Sequence, residues 1–213
     1  MIWAILSDIH GRGDRLARVL ADARVRGADR FLALGDVGST AVVDALLDVS
    51  AECVFGNWEA SGLRGLARPY RNIVAHWPAQ HRAPKLWAAH ATPVWPAGLA
   101  IGGVVDYLRD RNLHWTALFP SLQRSEEARR AACLELESAA ALIFFHGHTH
   151  IQEAWRWRSA DGLAQETGPT FGVADADSRF LIGVGSVGDA RDGSGACYAL
   201  YDDVAASVTW RRV

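Results

Sequence analysis

The chain has 213 residues, half of them apolar and 22% charged, with a formal net charge of −2. That composition excludes a disordered or fibrous chain and leaves enough apolar residues for a well-packed core. It also lacks the global positive field that draws a protein onto nucleic acid or an anionic membrane.

Residues 2–6 read as a buried strand, and residues 14–26 as an amphipathic helix with Leu16, Val19, Leu20 and Ala23 on one face. Strand 31–34, helix 41–47 and strand 52–55 continue the alternation, which argues for parallel strands with right-handed crossovers. Residues 85–89 and 141–145 read as further buried strands, and residues 125–138 as a helix with Glu126 and Glu127 at its N-terminal end. Beyond these, residues 151–158, 180–184, 197–201 and 207–212 read as strands with few helices between them, which predicts antiparallel additions. Residues 162–178 read as a long hairpin loop, and residues 93–121 show no clean period. No repeat or linker divides the chain, so residues 1–213 are expected to form one domain.

No apolar run approaches the roughly 20 residues of a membrane span. Neither a basic leader nor a small-residue cleavage site follows Met1, so no secretory signal is expected. Cys53, Cys133 and Cys197 are widely spaced in apolar surroundings and fit buried thiols in a reducing cytoplasm.

The chemically informative residues sit just past the strand ends. Asp8 and His10 follow the first strand, Gly35-Asp36 the second and Gly56-Asn57-Trp58-Glu59 the third. His90 follows strand 85–89, and His146-Gly147-His148-Thr149-His150 follows strand 141–145. In open α/β sheets ligands collect at the carboxyl ends of strands. Taken singly, Gly-Asp and Gly-Asn are turn dipeptides and a lone His is an ordinary core residue. Taken together in this order, they predict a metal site. Mixed carboxylate, imidazole and amide donors without thiolates suit Mn²⁺, Fe or Zn²⁺ better than Ca²⁺.

With these motifs the chain resembles the calcineurin-like metallophosphoesterase superfamily, and within it the small YfcE-type phosphodiesterases of bacteria and archaea. The resemblance runs from Ser7-Asp8-Ile9-His10-Gly11 to Gly185-Ser186-Val187-Gly188. It implies an α/β fold, a four-layer αββα sandwich of two mixed sheets flanked by helices. It further implies one ion held by Asp8, His10, Asp36 and His150, and a second held by Asp36, Asn57, His90 and His148, with Asp36 as the bridge. The implied cofactor is a pair of divalent ions, Mn²⁺ first and Fe, Zn²⁺ or Ni²⁺ as alternatives. Asp36, Asn57, His90 and His148 are the implied catalytic set, and a hydroxide shared between the ions attacks phosphorus.

One position departs from the family pattern. Where many members carry a His that protonates the leaving group, this chain has Trp58, whose indole donates one hydrogen bond but does not cycle a proton. Glu59, the residue that would hold that His, is left without its expected partner. His146 is the nearest alternative donor, although its place at a strand end also reads as a buried structural residue. General acid catalysis contributes about 10²–10⁴-fold, so the departure favours diesters over monoesters. Trp58 is also a candidate platform for a nucleobase, and Arg191 either a phosphate contact or one half of a surface salt bridge. The expected partner is a small phosphate ester, a nucleotide among the options, with no membrane and no stable nucleic-acid binding. Oligomeric state is open, a homodimer being one option. The rival functions are a nucleotide phosphomonoesterase or pyrophosphohydrolase, and a non-catalytic scaffold like the small retromer subunit.

Overall fold

Strand β1 (Ile2–Leu6) is apolar on both faces and therefore needs cover on both. Trp3 and Ile5 enter one buried cluster, while Ala4 and Leu6 enter another. The computed structural model describes residues 1–62 and 66–213, and it shows how both faces are covered.

In chain order β1 is followed by α1 (Gly13–Val25), β2 (Arg30–Ala33), α2 (Thr40–Asp48), β3 (Glu52–Cys53), α3 (Asn57–Ala60) and α4 (Arg68–Val74). Next come β4 (Gln80–Ala83), β5 (Leu86–Ala89), α5 (Val104–Asp110), α6 (Glu126–Ser138) and β6 (Ile143–His146). The chain ends with β7 (Gln152–Arg158), β8 (Gly162–Glu166), β9 (Thr170–Gly172), β10 (Arg179–Val184), β11 (Cys197–Asp202) and β12 (Ser207–Arg212).

These strands build two six-stranded sheets, ordered β3-β2-β1-β11-β12-β9 and β4-β5-β6-β10-β7-β8. Both are mixed. β1, β2 and β3 run parallel, as do β5, β6 and β10, while the remaining pairs are antiparallel. The sheets stack through Ile5, Leu32, Phe145, Ile182 and Tyr201. Leu16 and Val19 of α1 and Val43 and Leu46 of α2 cover the outer face of the first sheet. Cys133 and Leu136 of α6 cover Phe144 and Leu181 on the outer face of the second. The result is the four-layer αββα sandwich. Among the described residues no helix is long and apolar enough to cross a membrane.

Three sequence expectations change. The strand expected over 52–55 ends at Cys53, because the chain turns away and Phe55 donates its N–H to Pro78 O at 3.1 Å. The loop expected over 162–178 contains β8 and β9. Neither has an alternating apolar pattern; β8 forms by pairing with β7 at a sheet edge, and β9 has only Phe171 to bury. Residues 93–121 hold α5 and two short 3₁₀ turns, pinned by Val104, Leu108, Leu118 and Phe119 in the first outer core. All three cysteines are free, and Cys133 and Cys197 are buried.

Phe145 has no exposed surface and stands between the two sheets. Phe145→Ala is expected to cost about 3–5 kcal/mol of stability, read from urea unfolding midpoints at constant m-value. A loss below about 1 kcal/mol would contradict this placement of the core.

Candidate metal centre

The carboxyl ends of β1, β2, β5 and β6 lie side by side at one end of the sandwich, and the sequence motifs follow them directly. The backbone there is unusual. Asp8, His10, Asp36, His148 and His150 take φ of 53°, 50°, 54°, 62° and 61°, the left-handed region. Each such residue costs about 1–3 kcal/mol unless its surroundings enforce it. Here they do. Asp8 N–H donates to Gly35 O at 3.1 Å, His10 N–H to Asp36 O at 2.9 Å, and His148 N–H to Asp8 Oδ2 at 2.8 Å. Gly147 makes the last contact possible, because a Cβ there would run into the side chains of Ser7 and Asp8.

Two groups of donors result. In the first, Asp8 Oδ1 lies 3.2 Å from His150 Nε2 and 3.8 Å from His10 Nε2, and the two Nε2 atoms are 3.2 Å apart. In the second, His90 Nε2 lies 2.9 Å from Asn57 Oδ1 and 3.6 Å from Asp36 Oδ1. His148 faces His90 edge to face, with ring centroids 5.1 Å apart. Asp8, Asp36 and His90 also offer donor atoms within 4.8 Å of one another, so Asp8 as well as Asp36 stands between the groups.

The donors fit divalent cations. His90 Nδ1 donates to Leu34 O and His150 Nδ1 to Asp189 O, both at 2.7 Å, which leaves each Nε2 lone pair facing the cluster. Asp8 Oδ1 is buried without a hydrogen-bond partner among the described residues, an arrangement that a positive charge would relieve. Burial, with the charge of His90 beside it, pushes His148 down to about 3, and burial also lowers His10. Both are therefore neutral near pH 7, as metal ligands must be. Burial pushes Asp36 up to about 7 against the pull of His90, with the neighbouring carboxylates of Asp8 and Glu59 adding to the rise. Burial opposes charge on Asp8 too, but His150 and His90 hold its carboxyl well below the ordinary range.

Above the donors lies a cleft of about 390 Å³, with His10, Asp36, Asn57, His148 and His150 at its base and Trp58, Asp189 and Arg191 around it. Trp58 is 48% exposed and meets His10 edge-on at 4.3 Å between centroids. Arg191 lines the cleft and makes no ion pair among the described residues. His146 has no exposed surface and sits beside Gly183 of β10, away from the cleft. Glu59, expected to lack a partner, is fully engaged: its carboxylate accepts N–H groups from Asp36, Val37 and Gly56.

Sequence reasoning missed Asp189 and the role of Ser186. Ser186 Oγ donates to Asp8 O at 2.8 Å and accepts from Asp189 N–H at 2.7 Å, which places Asp189 O under His150. The Gly185-Ser186-Val187-Gly188 run was the available signal, but nothing in it marks which strand end it meets.

Comparison with known proteins agrees with this geometry. A sequence model of the calcineurin-like phosphoesterase superfamily domain matches residues 1–204. The chain belongs to that superfamily. A metallophosphoesterase from Sphaerobacter thermophilus is 22% identical over all of this chain and 88% of its own, with a TM-score of 0.74. An archaeal phosphodiesterase is 12% identical, covered in full on both sides, with a TM-score of 0.53. The Vps29 protein of Entamoeba histolytica, solved with zinc, is 12% identical over all of this chain and 98% of its own, with a TM-score of 0.52. At these identities the likeness is one of fold. No curated protein matches the chain. Membership makes this calcineurin-like domain a metallophosphoesterase fold with candidate ligand groups in place.

Because burial lifts Asp36 to about 7, a cation bound there below that pH must displace its proton. Mn²⁺ affinity is expected to fall about tenfold per pH unit for each proton displaced as pH drops from 6 to 5. Titration calorimetry in buffers of different ionisation enthalpy counts those protons. Release that is unchanged in Asp36→Asn would contradict the assignment.

Proposed function

We propose that this protein is a metal-dependent phosphodiesterase, working through two divalent ions held by Asp8, His10, Asp36 and His150 on one side and Asp36, Asn57, His90 and His148 on the other. The whole chain, residues 1–213, acts as one domain, and its three free thiols support a cytoplasmic setting. Mn²⁺ is the first choice of metal and Fe, Zn²⁺ or Ni²⁺ the alternatives. When bound, the ions supply Lewis acidity toward the phosphoryl oxygens and lower the pKa of water.

The chain's own residues do the rest. The His90 and His150 rings are locked by their Nδ1 donations, so their Nε2 atoms stay aimed at the site without reorganisation. Arg191, which lines the cleft and has no ion pair among the described residues, would take a non-bridging phosphate oxygen. Trp58 walls the side next to His10 and offers half its surface to the organic part of an ester, a nucleobase included.

The observation that carries the diester reading is the composition of the cleft. Apart from the proposed ligands, the described residues lining it are Trp58, Arg191 and the exposed carboxylate of Asp189. Among the described residues none of these three is an imidazole that could protonate a poor leaving group, which monoesters of ordinary alcohols need most.

The test is hydrolysis of bis-p-nitrophenyl phosphate against p-nitrophenyl phosphate by protein stripped of metal and reloaded with Mn²⁺. The diester should be cleaved faster, and Asp36→Asn and His148→Ala should each cost at least about a hundredfold, the scale of losing one stabiliser of transition-state charge. Faster cleavage of the monoester would overturn the diester reading. Cleavage of neither by folded, metal-loaded protein would leave the scaffold reading in its place. Separately, Arg191→Ala is expected to raise KM for the diester about tenfold with kcat little changed, the pattern of a lost charged contact made equally in ground and transition states. An unchanged KM would remove Arg191 from the site.

A further inference from the structure

Glu59 is 4% exposed and sits in the short helix α3, yet its carboxylate carries three charge-assisted hydrogen bonds. Oε2 accepts from Asp36 N–H and Gly56 N–H, both at 2.8 Å, and Oε1 accepts from Val37 N–H at 2.9 Å. Only the bond to Gly56 is needed to start α3. The other two reach the loop after β2, where Asp36 holds its left-handed backbone. The tie is reciprocal, because Trp58 N–H donates to Asp36 Oδ1 at 2.9 Å. The two loops are also in backbone contact, since a Cβ on Gly35 would strike Gly56.

We infer that Glu59 is a positioning residue for the metal centre, clamping the loop after β2 onto α3 so that Asp36 Oδ1 faces His90 and Asn57. The inference rests on the reading of Asp36 as a metal ligand. It gives Glu59 a task independent of the His that Trp58 replaces, and explains how a carboxylate remains useful there. Bonds to a charged acceptor are about twice as strong as neutral ones, so this single side chain can hold a strained residue in place.

The experiment is Mn²⁺ titration of Glu59→Gln, read by calorimetry and by electron paramagnetic resonance. An amide offers one acceptor oxygen, and its NH₂ would face at least one of the three N–H donors. The expected result is a tenfold to hundredfold loss of affinity, the scale of losing a group that orients a ligand, at one of the two Mn²⁺ sites. With Mn²⁺ in excess, KM for the diester should stay put while kcat falls. Phe145→Ala is the comparison for general destabilisation. Equal weakening in both variants, or affinity in Glu59→Gln within twofold of wild type, overturns the clamp. Amide exchange of the metal-free wild-type protein reads the same clamp without a variant. Slow exchange shared by Asp36, Val37 and Gly56 supports it, and fast exchange at Asp36 or Val37 overturns it. Neither reading uses a substrate, so failure of the diester assay leaves the clamp standing. A wild-type protein that binds no Mn²⁺ would instead sink the metal reading and the clamp together.

Discussion

Asp8 and Asp36 are buried together, with carboxylate oxygens and a ring nitrogen of His90 within 4.8 Å of one another. Two like charges in a low-dielectric corner repel strongly, and one must take a proton unless a cation arrives. That constraint organises the rest of the site. Burial lifts the Asp36 carboxyl, the Asp8 charge adds to that rise, and Asp8 Oδ1 has no hydrogen-bond partner among the described residues. A divalent ion between the two carboxylates would relieve this repulsion. The geometry therefore offers candidate ligand groups for metal.

The cost falls on the backbone. Five of the candidate ligands occupy left-handed φ, which no single residue would adopt without enforcement. The enforcement comes from three directions: backbone bonds between the strand-end loops, the Glu59 carboxylate, and Ser186 beneath Asp8. Function and fold meet here, because the same parallel strands that bury Leu6 and Phe145 deliver Asp8 and His148 to one edge. Trp58 fills the flank of His10 with an indole, a group that does not exchange protons.

Much of this was legible in the sequence, and the reason is specific. The strands that carry the site are short, continuous apolar runs ending in Asp8, Asp36, His90 and His146, so both fold and site could be read from where each run stops. Elements that form only by pairing were invisible: β8 has no period of its own, and β9 contributes a single apolar residue. The donor positions could be read, but their supports could not. Glu59 bonds to backbone groups in another loop, and the shorter contact of Asp189 with His150 is through its carbonyl, so neither contact leaves a residue pattern.

Anomalous diffraction from crystals grown with Mn²⁺ tests the central claim most directly. The account predicts two peaks in the cleft, one against His10 and His150 and the other against His90 and His148, with the Asp36 carboxylate touching both. A single peak, or Mn²⁺ bound only away from these residues, would contradict it.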